Sequence, residues 1–211
     1  MVQINPENDV LLLVDIQNDF LPGGSLAVKD GDQIISVVNE LQLKFKKIIA
    51  TQDFHPAGHK SFAASHDGKE IGEMIKLDGL DQVLWPSHCV QGSLGAEFSN
   101  KLKTESWLKV VQKGLNENVD SYSGFYDNAK RGDTGLNAYL KETGAKRVFV
   151  VGLALDYCVK FTALDAHELG FDTFVITDAT RAVNLRPNDH EIAINEMKSL
   201  GIQILSSQEI N

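Results

Sequence analysis

The chain is short of cysteine, short of basic charge, and without any long apolar run. It has two cysteines, Cys89 and Cys158, 69 positions apart. That excludes a disulfide framework and fits a reducing, cytoplasmic setting. There is no Cys-x-x-Cys, which argues against a dithiol redox protein. Lys and Arg number 20 against 29 Asp and Glu, a formal net charge of −9. Nucleic acids and anionic membranes bind basic surfaces, so neither partner is expected. No apolar run exceeds about five residues, and crossing a bilayer takes about 20. Residues 1–9 are polar and carry no basic stretch, so no signal peptide is expected. Repeats, low-complexity tracts and linkers are absent too. With 211 residues, 43% of them hydrophobic, one domain over 1–211 with a sizeable core is the simplest expectation.

What is present is an alternation of two patterns. Short apolar runs at 10–14, 47–51, 107–112, 147–151, 172–176 and 202–205 predict six strands. Between them, helical spacing predicts helices over 32–45, 134–142, 157–169 and 188–200, with a short one over 96–102. Gly144 and Gly201 stop two of these. Asn188 with Glu191 three residues on resembles a capping box. A long irregular region, about 55–93, is rich in Gly and Pro, and a loop of that length is usually functional. Strands alternating with helices imply an α/β three-layer sandwich: a central, mostly parallel sheet of about six strands with helices on both faces.

Asp15, Asp53, Lys113 and Cys158 each lie at or just past the C-terminal end of a different predicted strand. In an open parallel sheet those ends share one edge, where ligands bind. Cys158 also sits near the start of a helix, where free N–H groups and the helix dipole favour a thiolate. A small buried hydrophobe is the alternative reading of such a cysteine. Asp15 is a candidate proton acceptor for the thiol. The ordinary pKa values differ by roughly 4.6 units, so transfer is uphill by about 6 kcal/mol. Desolvating Asp15 and stabilising the thiolate would narrow that gap. Lys113 suits the second task but opposes the first.

Asp53 and His55 are two apart, so in extended chain both face one way and can reach one cation. His59 and His88 are both candidates for a third ligand. Pro56 and Gly58 argue against a helix joining His55 to His59. Two nitrogens and one oxygen suit zinc, iron(II) or manganese. His66, His167 and His190 have no clustered partners and read as surface or packing residues.

Five segments carry a family resemblance: Val14-Asp15-Ile16-Gln17-Asn18-Asp19-Phe20, Thr51-Gln52-Asp53-Phe54-His55-Pro56, Trp85-Pro86-Ser87-His88-Cys89-Val90-Gln91-Gly92, Val111-Gln112-Lys113-Gly114 and Gly152-Leu153-Ala154-Leu155-Asp156-Tyr157-Cys158-Val159. In order and over nearly the whole chain, they resemble the bacterial nicotinamidases of the isochorismatase-like cysteine hydrolase superfamily. The resemblance implies hydrolysis of nicotinamide, and of pyrazinamide, in NAD salvage. It implies Cys158 as nucleophile, Asp15 as proton carrier and Lys113 as their electrostatic partner. It implies one divalent metal, zinc foremost, on Asp53, His55 and His88, with His59 open. Phe20, Trp85, Tyr122 and Tyr157 match ring-pocket positions. A cis peptide before Ala154 is implied, aiming the Ala154 and Cys158 N–H groups at one oxyanion. Whether the protein is a monomer or a homo-oligomer stays open. A hydrolase of ureido or carbamoyl compounds and a non-catalytic binding protein on the same scaffold are the rival readings.

Overall fold

The computed structural model describes residues 1–211. Strands β1 (Asp9–Val14), β2 (Lys47–Asp53), β5 (Lys109–Lys113), β6 (Arg147–Leu153), β7 (Asp172–Arg181) and β8 (Gln203–Leu205) form one sheet in the order β5-β2-β1-β6-β7-β8. Every neighbouring pair in it is parallel. Helices α1 (Ile34–Gln42), α2 (Leu136–Glu142), α3 (Lys160–Glu168) and α4 (Asp189–Ser199) cover the two faces.

The period of two along β1 divides the core. Leu11 and Leu13 pack with Ile34, Val38 and Leu41 of α1 on one face. Val10, Leu12 and Val14 pack with Leu136 and Leu140 of α2, Ala163 and Ala166 of α3 and Met197 of α4 on the other. All six residues of β1 are buried, as a continuous apolar run on a central strand requires. The expected three-layer sandwich is present. No helix is long and apolar enough to cross a membrane.

Strand order reverses between β1 and β6. From β1 the chain builds outward through β2 to β5, then returns to β6 and builds the other way. A crevice opens at such a reversal, beyond the carboxyl ends of the strands. Gly152 of β6 pairs with Val14 of β1 there. It has φ +116, and a Cβ on it would lie 2.0 Å from the Val14 carbonyl oxygen. Only glycine lets the two strands close up at this point.

Several local expectations are corrected. The irregular region contains a separate antiparallel hairpin, β3 (Met74–Leu77) and β4 (Leu80–Val83). Its turn is Asp78-Gly79, both at positive φ, the turn that a two-residue hairpin prefers. No helix forms over 96–102. Instead Leu94–Ala96 makes one 3₁₀ turn capped by Ser93, and Phe98 bridges to Gln17. Trp107 and Leu108 precede β5, and the Trp107 indole donates to Gln42. Asn188 stands before α4 at φ +70 and makes no side-chain cap. The capping box of this chain is Ser206 with Glu209. Residues 155–159 form a π-helical turn, and α3 proper begins only at Lys160.

Candidate active site

The four strand-end residues converge. Asp15 follows β1 at φ +48, a conformation that Asp tolerates better than most residues. Its Oδ1 accepts from the Thr51 hydroxyl at 2.7 Å. Asp53 ends β2 and pairs across the ladder with Lys113, which ends β5. The Lys113 ammonium lies 2.9 Å from Asp15 Oδ2 and 2.8 Å from Asp53 Oδ1. It also donates to the Ser121 carbonyl at 2.8 Å and faces Cys158 Sγ at 3.5 Å. All four side chains are buried.

An ammonium has three protons, and four acceptors surround this one. Asp15 Oδ2 is the one left without a hydrogen bond of sound geometry, despite its short distance. It therefore keeps an open lone pair in a cluster where Asp15, Asp53 and Cys158 all approach within 4.8 Å of one another.

Charge states follow from burial and neighbours. Burial pushes the Asp15 carboxyl up; Lys113 pulls it down without cancelling the rise. Burial favours neutral Lys113, but Asp15 and Asp53 outweigh it and hold the ammonium well above its usual pKa. Burial alone would raise Asp53, but His55 and Lys113 hold it well below the carboxylate range. Burial pushes the Cys158 thiol well up, against the pull of Lys113. Burial thus opposes the stabilisation that the helix start and Lys113 offer a thiolate. In a dry site, desolvation of the anion exceeds what the first helical turn returns.

Asp53 has a second role through its other oxygen. Oδ2 lies 3.1 Å from His55 Nε2 and 3.6 Å from His88 Nε2. His55 Nδ1 meets the Gly114 carbonyl at 3.1 Å, and His88 Nδ1 meets the Pro86 carbonyl at 2.8 Å. Carbonyls only accept, so both Nδ1 atoms carry a proton and both Nε2 atoms face Asp53, where each offers a lone pair when its ring is neutral. His55 Nε2 is buried and has no hydrogen-bond partner. Lone pairs gathered around a carboxylate are repulsive until a cation sits among them. The donor set fits a divalent metal ion with two nitrogens and one oxygen. Phe62, fully buried, packs its ring 5.4 Å from those of both His55 and His88.

His59 is also buried, its ring 4.4 Å from that of His55. Its Nδ1 accepts from the Ser61 backbone N–H at 3.2 Å. A neutral His59 then carries its proton on Nε2 and has no lone pair to offer there. His59 Nε2 is also buried without a partner, and two groups of ligand atoms converge here: the resemblance-based Asp53, His55 and His88, and His55, His59 and Asp120.

A pocket opens beside the sulfur, with about 360 Å³ of free space, part of it open to solvent. Phe20, Trp85, Tyr122 and Tyr157 line it, as do Ala154, Cys158, Asp53 and His88. The Tyr157 ring stands edge-on to Trp85 at 5.0 Å and to Tyr122 at 5.4 Å. The Leu153–Ala154 peptide bond is cis.

Sequence reasoning missed several contributors. Gln17 brackets Asp53: its amide donates to the Asp53 carbonyl at 2.7 Å and accepts the Asp53 N–H at 2.8 Å. It stood in the first family segment without a role. Asp120, Leu26 and Val183 also line the pocket. They come from loops and from the end of β7, where no periodicity marks them.

The isochorismatase domain model matches residues 9–209, and the chain belongs to that family, a class of α/β hydrolases. Nearer relatives are narrower in kind. The nicotinamidase of Escherichia coli strain K12 is 48% identical over 195 residues, 90% of this chain and 91% of that one. A structure of the nicotinamidase pyrazinamidase of Acinetobacter baumanii superposes with a TM-score of 0.95 at 45% identity, covering 98% and 99% of the two chains. The pyrazinamidase of Pyrococcus horikoshii in complex with zinc gives 0.78 at 40% identity, covering 95% and 99%.

Proposed function

We propose that this protein is a nicotinamidase, converting nicotinamide and water to nicotinate and ammonia, and pyrazinamide to pyrazinoate, with residues 1–211 acting as one domain. The observation that carries the reading is Lys113 set among Asp15, Asp53 and Cys158, beside an aromatic pocket that Cys158, Asp53 and His88 all line. A flat ring with a carboxamide on one side and a pyridine nitrogen on the other matches that lining.

Phe20, Trp85, Tyr122 and Tyr157 hold the ring and exclude water. Asp15 Oδ2, with its open lone pair, takes the proton from Cys158 Sγ as sulfur attacks the amide carbon. Coupling transfer to bond formation avoids a free thiolate in a site that disfavours one. The N–H groups of Ala154 and Cys158 receive the oxyanion. Asp15 returns its proton to the leaving nitrogen, and ammonia departs from the thioester. Asp15 then takes a proton from water as the water oxygen attacks the thioester, Cys158 leaves with that proton, and the nicotinic acid formed loses its remaining acidic proton to solvent or ammonia to give nicotinate. Lys113 stays charged throughout and holds both carboxylates in place. One zinc ion on Asp53, His55 and His88 would supply a Lewis acid at the pyridine end. Two buried, unpaired cysteines support a reducing, cytoplasmic location.

The test is ammonia release from nicotinamide by metal-loaded protein. Cys158→Ala is expected to abolish it. Asp15→Asn is expected to lower kcat by about 10²–10⁴ while leaving the fold intact. No release by the parent protein, or full turnover after Cys158 is alkylated, would sink the reading.

A further inference from the structure

We propose that Gln82, carried by the hairpin strand β4, is a specificity-determining positioning residue for the ring pocket. The inference deepens the nicotinamidase reading and rests on it. Gln82 is a polar side chain only 3% exposed, on a two-stranded ribbon that is not part of the main sheet. Its Nε2 reaches three oxygens: the Val83 carbonyl at 2.8 Å, Asp120 Oδ2 at 3.1 Å and the Tyr122 hydroxyl at 3.1 Å. Two of these only accept, which fixes the amide with nitrogen toward them. Asp120 and Tyr122 both line the pocket.

The network continues to the aromatic wall. Tyr122 O also receives the Trp85 indole N–H at 3.2 Å. Indole and amide nitrogens only donate, so the Tyr122 oxygen serves both as acceptor. Asp120 has one other donor, the Ser121 backbone N–H at 2.8 Å, and no cation bonds it. Gln82 thus ties the Asp120 carboxylate to the Trp85–Tyr122 edge side chain to side chain, while Asn128 links Asp120 and Tyr122 through their backbones. Without it, a buried carboxylate loses its only side-chain donor, and both edges are free to shift against the ring they confine. A pocket for one flat ring discriminates by the fixed spacing of its walls, so the effect falls on binding rather than on the reacting atoms.

The experiment compares Gln82→Met, of similar size but without a donor, with Gln82→Glu, which sets a carboxylate against Asp120. KM and kcat are measured with nicotinamide. Trp85 emission is recorded in a Trp107→Phe background, and metal content by elemental analysis. Gln82→Met is expected to raise KM about 5–20-fold, with kcat within about threefold and metal content unchanged. Gln82→Glu is expected to raise KM further, and Gln82→Glu with Asp120→Asn to recover at least half of that loss. Trp85 emission is expected to shift in both single variants. KM within twofold of the parent for Gln82→Met, equal losses in KM and kcat that follow loss of fold, or no recovery in the double variant would overturn the proposal. If the parent releases no ammonia from nicotinamide, the substrate reading fails separately, and Gln82 is judged on emission: an unshifted spectrum overturns its role.

Discussion

Lys113 shows how one residue sets the charge of a site. It is only 1% exposed, and a buried ammonium is tolerable only because two carboxylates flank it. Those carboxylates do not behave alike. Asp53, which shares its oxygens between Lys113 and two imidazoles, is held far down. Asp15, whose second oxygen lacks a sound bond, is pushed up toward the range where it can accept and return a proton. His59 is a separate case. Burial first, then the nearby His55 charge, depress it to about 4. Its ordinary value is about 6.5. Between those values the unfolded chain binds a proton that the folded chain refuses, so the stability of the fold falls as pH drops through the window. In metal-free protein, His59→Asn is expected to remove that slope: its stability relative to the parent should rise as pH falls from about 6.5 to about 4. Urea denaturation at several pH values checks this, and parallel curves would refute it. His59→Asn is also expected to retain the metal.

At the scale of elements, the site hangs on strand ends and on the short segments that follow them. Gly114, just past β5, has φ +69, and a Cβ there would lie 2.4 Å from His55 Cε1. Its carbonyl sets the His55 tautomer. Gly114→Ala is therefore expected to displace His55 and lower metal affinity about 10–100-fold, the usual effect of losing an outer-shell partner. Titration with zinc under a competing chelator measures it, and an unchanged affinity counts against the ligand set.

The same elements show what a sequence can reveal. The strands of the main sheet were legible because apolar runs of β-branched and aliphatic residues on central strands leave little choice. Asp15, Asp53, Lys113 and Cys158 were legible because strand ends in a parallel sheet share an edge. The hairpin was not, because each strand has four residues, too few for alternation to stand out from the surrounding loop. The π-helical turn before α3 was not, because one turn of extra width leaves the helical pattern nearly unchanged. Asn188 failed as a cap because backbone geometry, which no residue type dictates alone, placed it at positive φ. Gln17, Gln82 and Asp120 act through partners far away in sequence, so only the folded chain connects them.

For the whole molecule, the metal cluster joins segments far apart in the chain. Asp53 and His55 sit at the end of β2, and His88 lies beyond the hairpin. An ion bound to the folded state alone stabilises it by mass action, about 2.7 kcal/mol at 100 times Kd. In a chain of this length that corresponds to roughly 5–10 °C in Tm. Chelation is expected to lower the midpoint by about that much, and zinc to restore it. A midpoint indifferent to both would mean that the ion does not bind at this junction. The two core layers, one on each side of a single sheet, support the expectation that the loss appears as one cooperative transition.

Asp53 has two oxygens and two audiences. One oxygen answers to Lys113 and the other to the imidazoles. Electron density drawn toward one side is withdrawn from the other, so the ring-facing half of the pocket and the sulfur-facing half share a ground. Stripping the ion does more than delete a Lewis acid. Under the proposed function, it would return a full negative charge to the neighbour of Lys113, loosen that ammonium's hold on Asp15, and retune the group proposed to move the proton. Under that proposal, the metal-free protein would be a differently wired catalyst, not the same one with a part missing.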